Sequence, residues 1–296
     1  MHRFLRAIGF SHINTRQEFE PILGKIMQEP DRKRTVGLCQ KHRYTEFSMN
    51  YGPQIGITLR GEYDEKGFFY MEHYFPYCES RLITSSEDIS VNKRVDTNAY
   101  TGMCDDVRLG ISMIFYLQNA VDYLELNVPD NTPHRARLTL SGLSLKGKIL
   151  LGVHHTNSSK TKQELASRRH NHLVTRAKNG DQNAIEELTL EEIDLTSKVQ
   201  ERIRTEDLYS LVETSFIPYG SESDHYTIIG TIVNWSLVQN TLTKEHVYQM
   251  LLNCNGILIT ICIHKEDLMG EPGIGRRFKG IIWMQGHADF QKNSGR

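Results

Sequence analysis

Val247-Tyr-Gln-Met-Leu-Leu-Asn-Cys-Asn-Gly-Ile-Leu-Ile-Thr-Ile-Cys-Ile-His264 reads as a β-hairpin whose turn, register and buried face can all be written down. Asn-Gly is the strongest short hairpin signal, because both residues tolerate the positive φ of a type I′ turn. Pairing across Asn255-Gly256 sets Cys254 opposite Ile257, Leu252 opposite Ile259, Met250 opposite Ile261 and Tyr248 opposite Ile263. These eight share one face by the two-residue strand period. At roughly 1.5 to 3 kcal/mol for each large apolar side chain, burying that face gains on the order of 12 kcal/mol gross. The other face is mixed: Val247, Gln249, Leu251 and Asn253 meet His264, Cys262, Thr260 and Leu258.

Around this hairpin, Tyr226 to Asn234 is β-branched on both sides, and Phe278 to Gln285 reads as a further strand. At least four strands in so short a stretch predict a small barrel or curled sheet over 206–296, with an OB-like barrel as one candidate. Upstream, Thr15-Arg-Gln-Glu18 fits a capping box ahead of Phe19, Ile22 and Ile26 at helical spacing, against which Pro21 counts. Tyr44 to Asn50, Gln54 to Tyr63 and Phe68 to Tyr77 read as strands, the last two as a hairpin across Asp64-Glu-Lys-Gly67. Cys78 to Met103 reads as a long loop. Asp105 or Asp106 caps an expected helix to about Leu126 whose apolar face holds Val107, Ile111, Ile114, Phe115, Val121 and Leu124. Ala136 to Val153 returns to strand. The expected fold class is therefore α+β: an N-terminal α+β domain over 1–155, a charged helical connector over 156–205 and the β-rich domain over 206–296.

Two domains suit a length of 296 residues. With 24% charged residues and a net charge of -1, the chain has no global field to steer a nucleic acid or an anionic membrane. The five cysteines include no C-x-x-C pair, which suits reduced thiols in a cytosol. Arg6 interrupts the first residues before a secretory apolar region can form, and no apolar run reaches the ~20 residues of a membrane helix. A soluble, cytoplasmic protein is expected.

The best local candidate for a binding site is Gly270-Glu-Pro-Gly-Ile-Gly-Arg-Arg-Phe-Lys-Gly280. Its glycines let backbone N–H groups approach an anion, while Arg276, Arg277 and Lys279 surround a stackable Phe278. Such a loop would meet a protein or nucleic-acid partner; the simpler reading is a turn between strands with Phe278 in the core. The basic run Lys160, Lys162, Arg168, Arg169, Arg176 and Lys178 precedes the acidic Glu186, Glu187, Glu191, Glu192 and Asp194. Internal pairing is the favoured reading, and phosphate tracking the alternative.

Chemistry is less legible. Cys104 sits beside Asp105 and Asp106, which oppose thiolate formation, and Cys262 shares a strand face with His264 at a spacing too wide for a hydrogen bond; both read as buried structural cysteines. His154-His155 and His170-x-His172 lack partner ligands at zinc spacing, so no metal and no cofactor is expected. The first expectation is a non-enzymatic binding protein that uses its C-terminal β domain. The alternative is an enzyme of unknown reaction with a site between the domains, drawing on the loop Cys78 to Met103 and on His73, Asp105 or Asp106.

The opening Met-His-Arg-Phe-Leu-Arg-Ala-Ile-Gly-Phe10, the stretch Leu143-Ser-Leu-Lys-Gly-Lys-Ile-Leu150 and Asp267-Leu-Met-Gly-Glu-Pro-Gly-Ile-Gly-Arg-Arg-Phe-Lys-Gly-Ile-Ile-Trp-Met-Gln-Gly286 resemble an uncharacterised domain-of-unknown-function family of clostridial bacteria. The resemblance spans nearly the whole chain. It implies a bacterial cytoplasmic origin and carries no activity or site residues with it.

Overall fold

The computed structural model describes residues 1–37, 42–94, 99–106, 108, 111–152, 169–170, 172–178, 180–190, 214–221 and 223–291. A 3₁₀ turn at Arg3–Ile8 leads to helix α1 (Arg16–Gln28) and to strands β1 (Arg32–Gly37), β2 (Arg43–Gly52), β3 (Ile55–Tyr63) and β4 (Phe69–Cys78). Next come β5 (Asp88–Lys93), β6 (Tyr100–Asp106), β7 (Ile111–Leu117), the short helix α2 (Ala120–Leu124) and the long β8 (His134–Leu150). Strands β9 (Ser215–Pro218), β10 (His225–Gln239), β11 (His246–Cys254), β12 (Ile257–His264), β13 (Leu268–Met269) and β14 (Arg277–Phe290) complete the order. No described helix is long and apolar enough to cross a membrane.

The hairpin β11–β12 has the register that its turn and periodicity predict, from Cys254 opposite Ile257 to Val247 opposite His264. Asn255 and Gly256 take φ of 54° and 80°, as a type I′ turn demands. Cys254, Leu252, Met250, Ile257, Ile259, Ile261 and Ile263 are buried in one core. The mixed face is covered too: Val247 and Cys262 belong to a second core with the 3₁₀ turn, α1 and β2–β4. Polar Gln249 and His264 are buried beside them.

The strand pairings overturn the α+β fold class. The chain is predominantly β, and its larger sheet takes strands from both sides of residues 156–205. β14 runs antiparallel to β8 from Arg277 opposite Leu150 to Phe290 opposite Ala136, and β12 lies parallel to β8 on its other edge. Following β10, β11, β12, β8 and β14 back to β10 closes one five-membered ring of strands. A second ring of five runs through β8, β5, β6, β7 and β14. The C-terminal strands thus form no separate small barrel, since β8 is a stave of theirs, and the N-terminal half is no self-contained α+β unit. β1–β4 form their own antiparallel four-stranded sheet, with α1 packed on it.

Local expectations divide. Helix α1 starts at its capping box, Thr15 receiving the Glu18 N–H and the Glu18 side chain reaching back, and it carries Pro21 inside. The expected loop Cys78 to Met103 instead contains β5 and most of β6, and the helix expected from Asp105 or Asp106 to Leu126 is replaced by β7 and the five-residue α2. In the connector, residues 172–178 and 182–190 are helical, and no continuous helical span joins the two halves among the described residues. Arg176 pairs with Asp181 and Arg169 lies 3.8 Å from Glu187, so these cations are paired internally. Lys160, Lys162, Arg168 and His154-His155 lie outside the described residues.

Candidate functional site

Where the 3₁₀ turn, β4, the β5–β6 connection, β7, the start of β10 and β14 converge, they leave a pocket of about 380 Å³. Its apolar wall is aromatic, made by Phe4, Phe75, Tyr116 and Trp283. The Tyr116 and Trp283 rings meet edge-on at 5.1 Å, and the Phe75 and Tyr116 ring centroids lie 4.7 Å apart. The polar members are His2, Arg3, His73, Arg94, Asp224 and His225. A volume of this size, apolar with few convergent polar groups, suits a small molecule.

Two arginines fix the proton positions. Arg60, wholly buried, donates from Nη1 to the Tyr116 hydroxyl at 3.0 Å, from Nη2 to the carbonyls of Leu117 and Gln118, and from Nε to Glu46 at 2.8 Å. Because a guanidinium only donates, Tyr116 accepts from it, and His73 Nε2, 2.9 Å away, is the acceptor in reach of the hydroxyl's own proton. Burial, then the Arg60 charge, pushes the His73 pKa down to about 3, so the ring is neutral and carries its proton on Nδ1. That nitrogen is buried and has no hydrogen-bond partner, and His73 is one of the residues that line the pocket. A buried N–H left unpaired costs about 1–3 kcal/mol, which a ligand acceptor would recover.

A second set of bonds involves other residues that line the same pocket. Asp224 is buried and receives the Trp283 indole N–H at 2.9 Å, an Arg94 guanidinium N–H and the His225 Nδ1–H at 3.1 Å. Burial alone would raise its pKa; the bond from His225, the Arg94 charge and the indole bond outweigh it and hold the carboxyl below its usual range. His225 Nε2 accepts from Arg3 at 2.7 Å, so this ring is locked with its proton on Nδ1. His2 lies over Trp283 with ring centroids 4.9 Å apart, and burial, then Arg3, pulls its pKa down to about 4. The pocket therefore presents two guanidinium groups, one carboxylate already committed to three donors, the neutral rings of His2 and His73, and the His225 ring held between Asp224 and Arg3.

The sequence-predicted site residues do not assemble in this way. Phe278 is fully buried in the core and Arg277 is buried with its Nε donating to the Leu151 carbonyl at 2.8 Å. Arg276 is exposed and bends back to the Glu271 carbonyl at 2.7 Å, while Lys279 is half-buried on β14. Asp106 is clamped by Arg108 in one surface pocket, Asp105 lines another, and His73 lies in the aromatic pocket, so the three do not meet. Cys104 and Cys262 are buried, and burial pushes the Cys104 thiol up to about 11. Of the pocket residues, sequence reasoning singled out only His73. The dipeptide Asp224-His225 beside a strand start is the one local signal that points to the rest.

The chain belongs to the family described as a domain of unknown function, E. rectale gene description (DUF3881), whose model matches residues 5–286. No curated protein and no solved structure matches it.

Proposed function

We propose that this DUF3881 chain is a binding protein for a small organic anion, a carboxylate on a flat apolar body, held in the aromatic pocket. The observation that carries the reading is the unpartnered, buried His73 Nδ1–H in a pocket that also holds Arg3 and Arg94. An N–H fixed by a permanent cation behind it calls for an acceptor in front of it. The guanidinium groups supply the charge that an anion needs, Arg94 half-buried and Arg3 exposed, both among the residues that line the pocket. Phe75, Tyr116 and Trp283 supply the apolar wall for the body.

Benzoate is the smallest probe with both features. Titration calorimetry of the full chain should show saturable binding at one site, weakened about tenfold or more in His73→Phe, as expected for a lost hydrogen bond to a charged acceptor. Absence of saturable binding, or equal affinity in wild type and His73→Phe, overturns the reading.

A further inference from the structure

We propose that His225, backed by Asp224, is a general base that Arg3 masks, and that its substrates are small anions carrying a carbonyl next to a C–H bond. The proposal rests on the anion-binding reading above and goes beyond it from binding to reaction.

The geometry has three parts. The Asp224 carboxylate accepts the His225 Nδ1–H at 3.1 Å and is itself buried and anchored by Trp283. This orients the imidazole and prepares it to take up a second proton, since the imidazolium that forms faces a fixed carboxylate. The lone pair on Nε2 would be the working base, yet Arg3 donates to it at 2.7 Å. A guanidinium on that lone pair blocks proton uptake. Arg3 is exposed, and its guanidinium lies over the Phe4 ring at 5.0 Å from the centroid. A carboxylate entering the pocket offers Arg3 a charged acceptor in place of a neutral one, the stronger bond of the two. Binding of the substrate would then uncover the base.

His73 completes the chemistry. Its fixed Nδ1–H is a donor for a carbonyl oxygen, and that bond strengthens as the oxygen becomes an enolate. In the step, Nε2 of His225 takes a proton from the carbon beside the carbonyl. The C–H electron pair forms the C=C bond and the carbonyl π pair moves to oxygen, where His73 holds the charge. Return of a proton from the imidazolium to carbon restores the base. Nothing is oxidised or reduced, and no other reactant is consumed.

Deuterium exchange into the methyl group of pyruvate, followed by proton NMR in D₂O with the full chain, reads this step. Wild type is expected to exchange pyruvate at least tenfold faster than His225→Gln at equal concentration, with thermal unfolding of both variants recorded as the fold control. Acetone, which has no carboxylate to draw Arg3 away, should exchange slowly with wild type and faster with Arg3→Ala. Equal pyruvate exchange in wild type and His225→Gln overturns the base; equal acetone exchange in wild type and Arg3→Ala overturns the mask. If benzoate binds and pyruvate does not exchange, the base fails while the binding reading stands. His225-dependent exchange without benzoate binding fails the ligand class instead.

Discussion

Arg60 and Tyr116 meet at 3.0 Å in the interior, guanidinium Nη1 to phenol oxygen, with the guanidinium also stacked over the Tyr116 ring at 5.3 Å from its centroid. Three adjacent strands of the smaller sheet are tied to β7 by this contact, because Glu46 on β2, Arg60 on β3 and His73 on β4 belong to the same chain of bonds through Tyr116. Tyr116→Phe leaves both Arg60 Nη1 and His73 Nε2 without this partner and should cost about 1–3 kcal/mol. Arg60→Met strands the Glu46 carboxylate in the interior and should cost more, about 3–5 kcal/mol. Urea unfolding of the two variants checks both the values and their order.

Acid should destabilise the fold well above the carboxylate range. His2 and His73 have folded pKa values lowered to about 4 and about 3 from 6.5. Below pH 6.5 the unfolded chain binds protons that the folded chain refuses, so stability falls as pH drops, by about 1.4 kcal/mol per unit for each ring until its folded pKa is reached. Asp224 acts lower down. With a folded pKa below 3.8, its contribution is present above that value and is lost as pH falls through the folded one. Urea midpoints at pH 7 and pH 5 should differ, and His73→Phe should shrink the difference.

Four thiols should be silent toward Ellman's reagent in the native state. Cys78, Cys104, Cys254 and Cys262 are all buried, and burial pushes the Cys254 thiol up to about 12 and that of Cys78 well above its ordinary value. They should react only as the chain unfolds, and all together. Prompt labelling of any of the four, located by mass spectrometry, would contradict this packing.

The loop at 270–280 should split by residue. Phe278→Ala opens a cavity in the core and should cost about 3–5 kcal/mol, whereas Arg276→Ala should stay within about 0.5 kcal/mol of wild type. Thermal midpoints of the two variants measure the contrast.

These contrasts show where the sequence can be read and where it cannot. The hairpin at 247–264 is legible because the turn chemistry and the two-residue period agree on a single register. β7 is not, because Phe115, Tyr116 and Leu117 are all buried, on both faces of the strand. Continuous burial erases the alternation, and Ile111, Ile114 and Phe115 then mimic a helical stripe. β5 was missed for a related reason: Ile89, Ser90 and Val91 are all covered in a short polar segment. In the loop at 270–280, Gly270 and Gly275 take φ of 90° and 81°, so the glycines answer to turn geometry that also explains them without an anion.

The pocket was hidden by distance along the chain. His2, His73, Arg94, Tyr116, Asp224 and Trp283 come from six separate segments, and no local pattern links them. The pairings of β7 with β14, through Tyr116 opposite Gln285, and of β10 with β14, through His225 opposite Trp283, bring three of these segments side by side. Residue types alone mark candidates; the strand order decides which of them share a cavity.

The strand that seals both rings is also the last of the described strands to be synthesised. Until 277–290 has left the ribosome, β7 and β8 each lack the neighbour that β14 supplies, and at roughly 5–20 residues per second the nascent chain waits many seconds with those edges bare. Neither ring can close early on behalf of the other. Assembly is therefore late, dominated by partners far apart in sequence and slow for a chain of this size, and in the cell its yield depends on what shields the open edges of β7 and β8 during that interval.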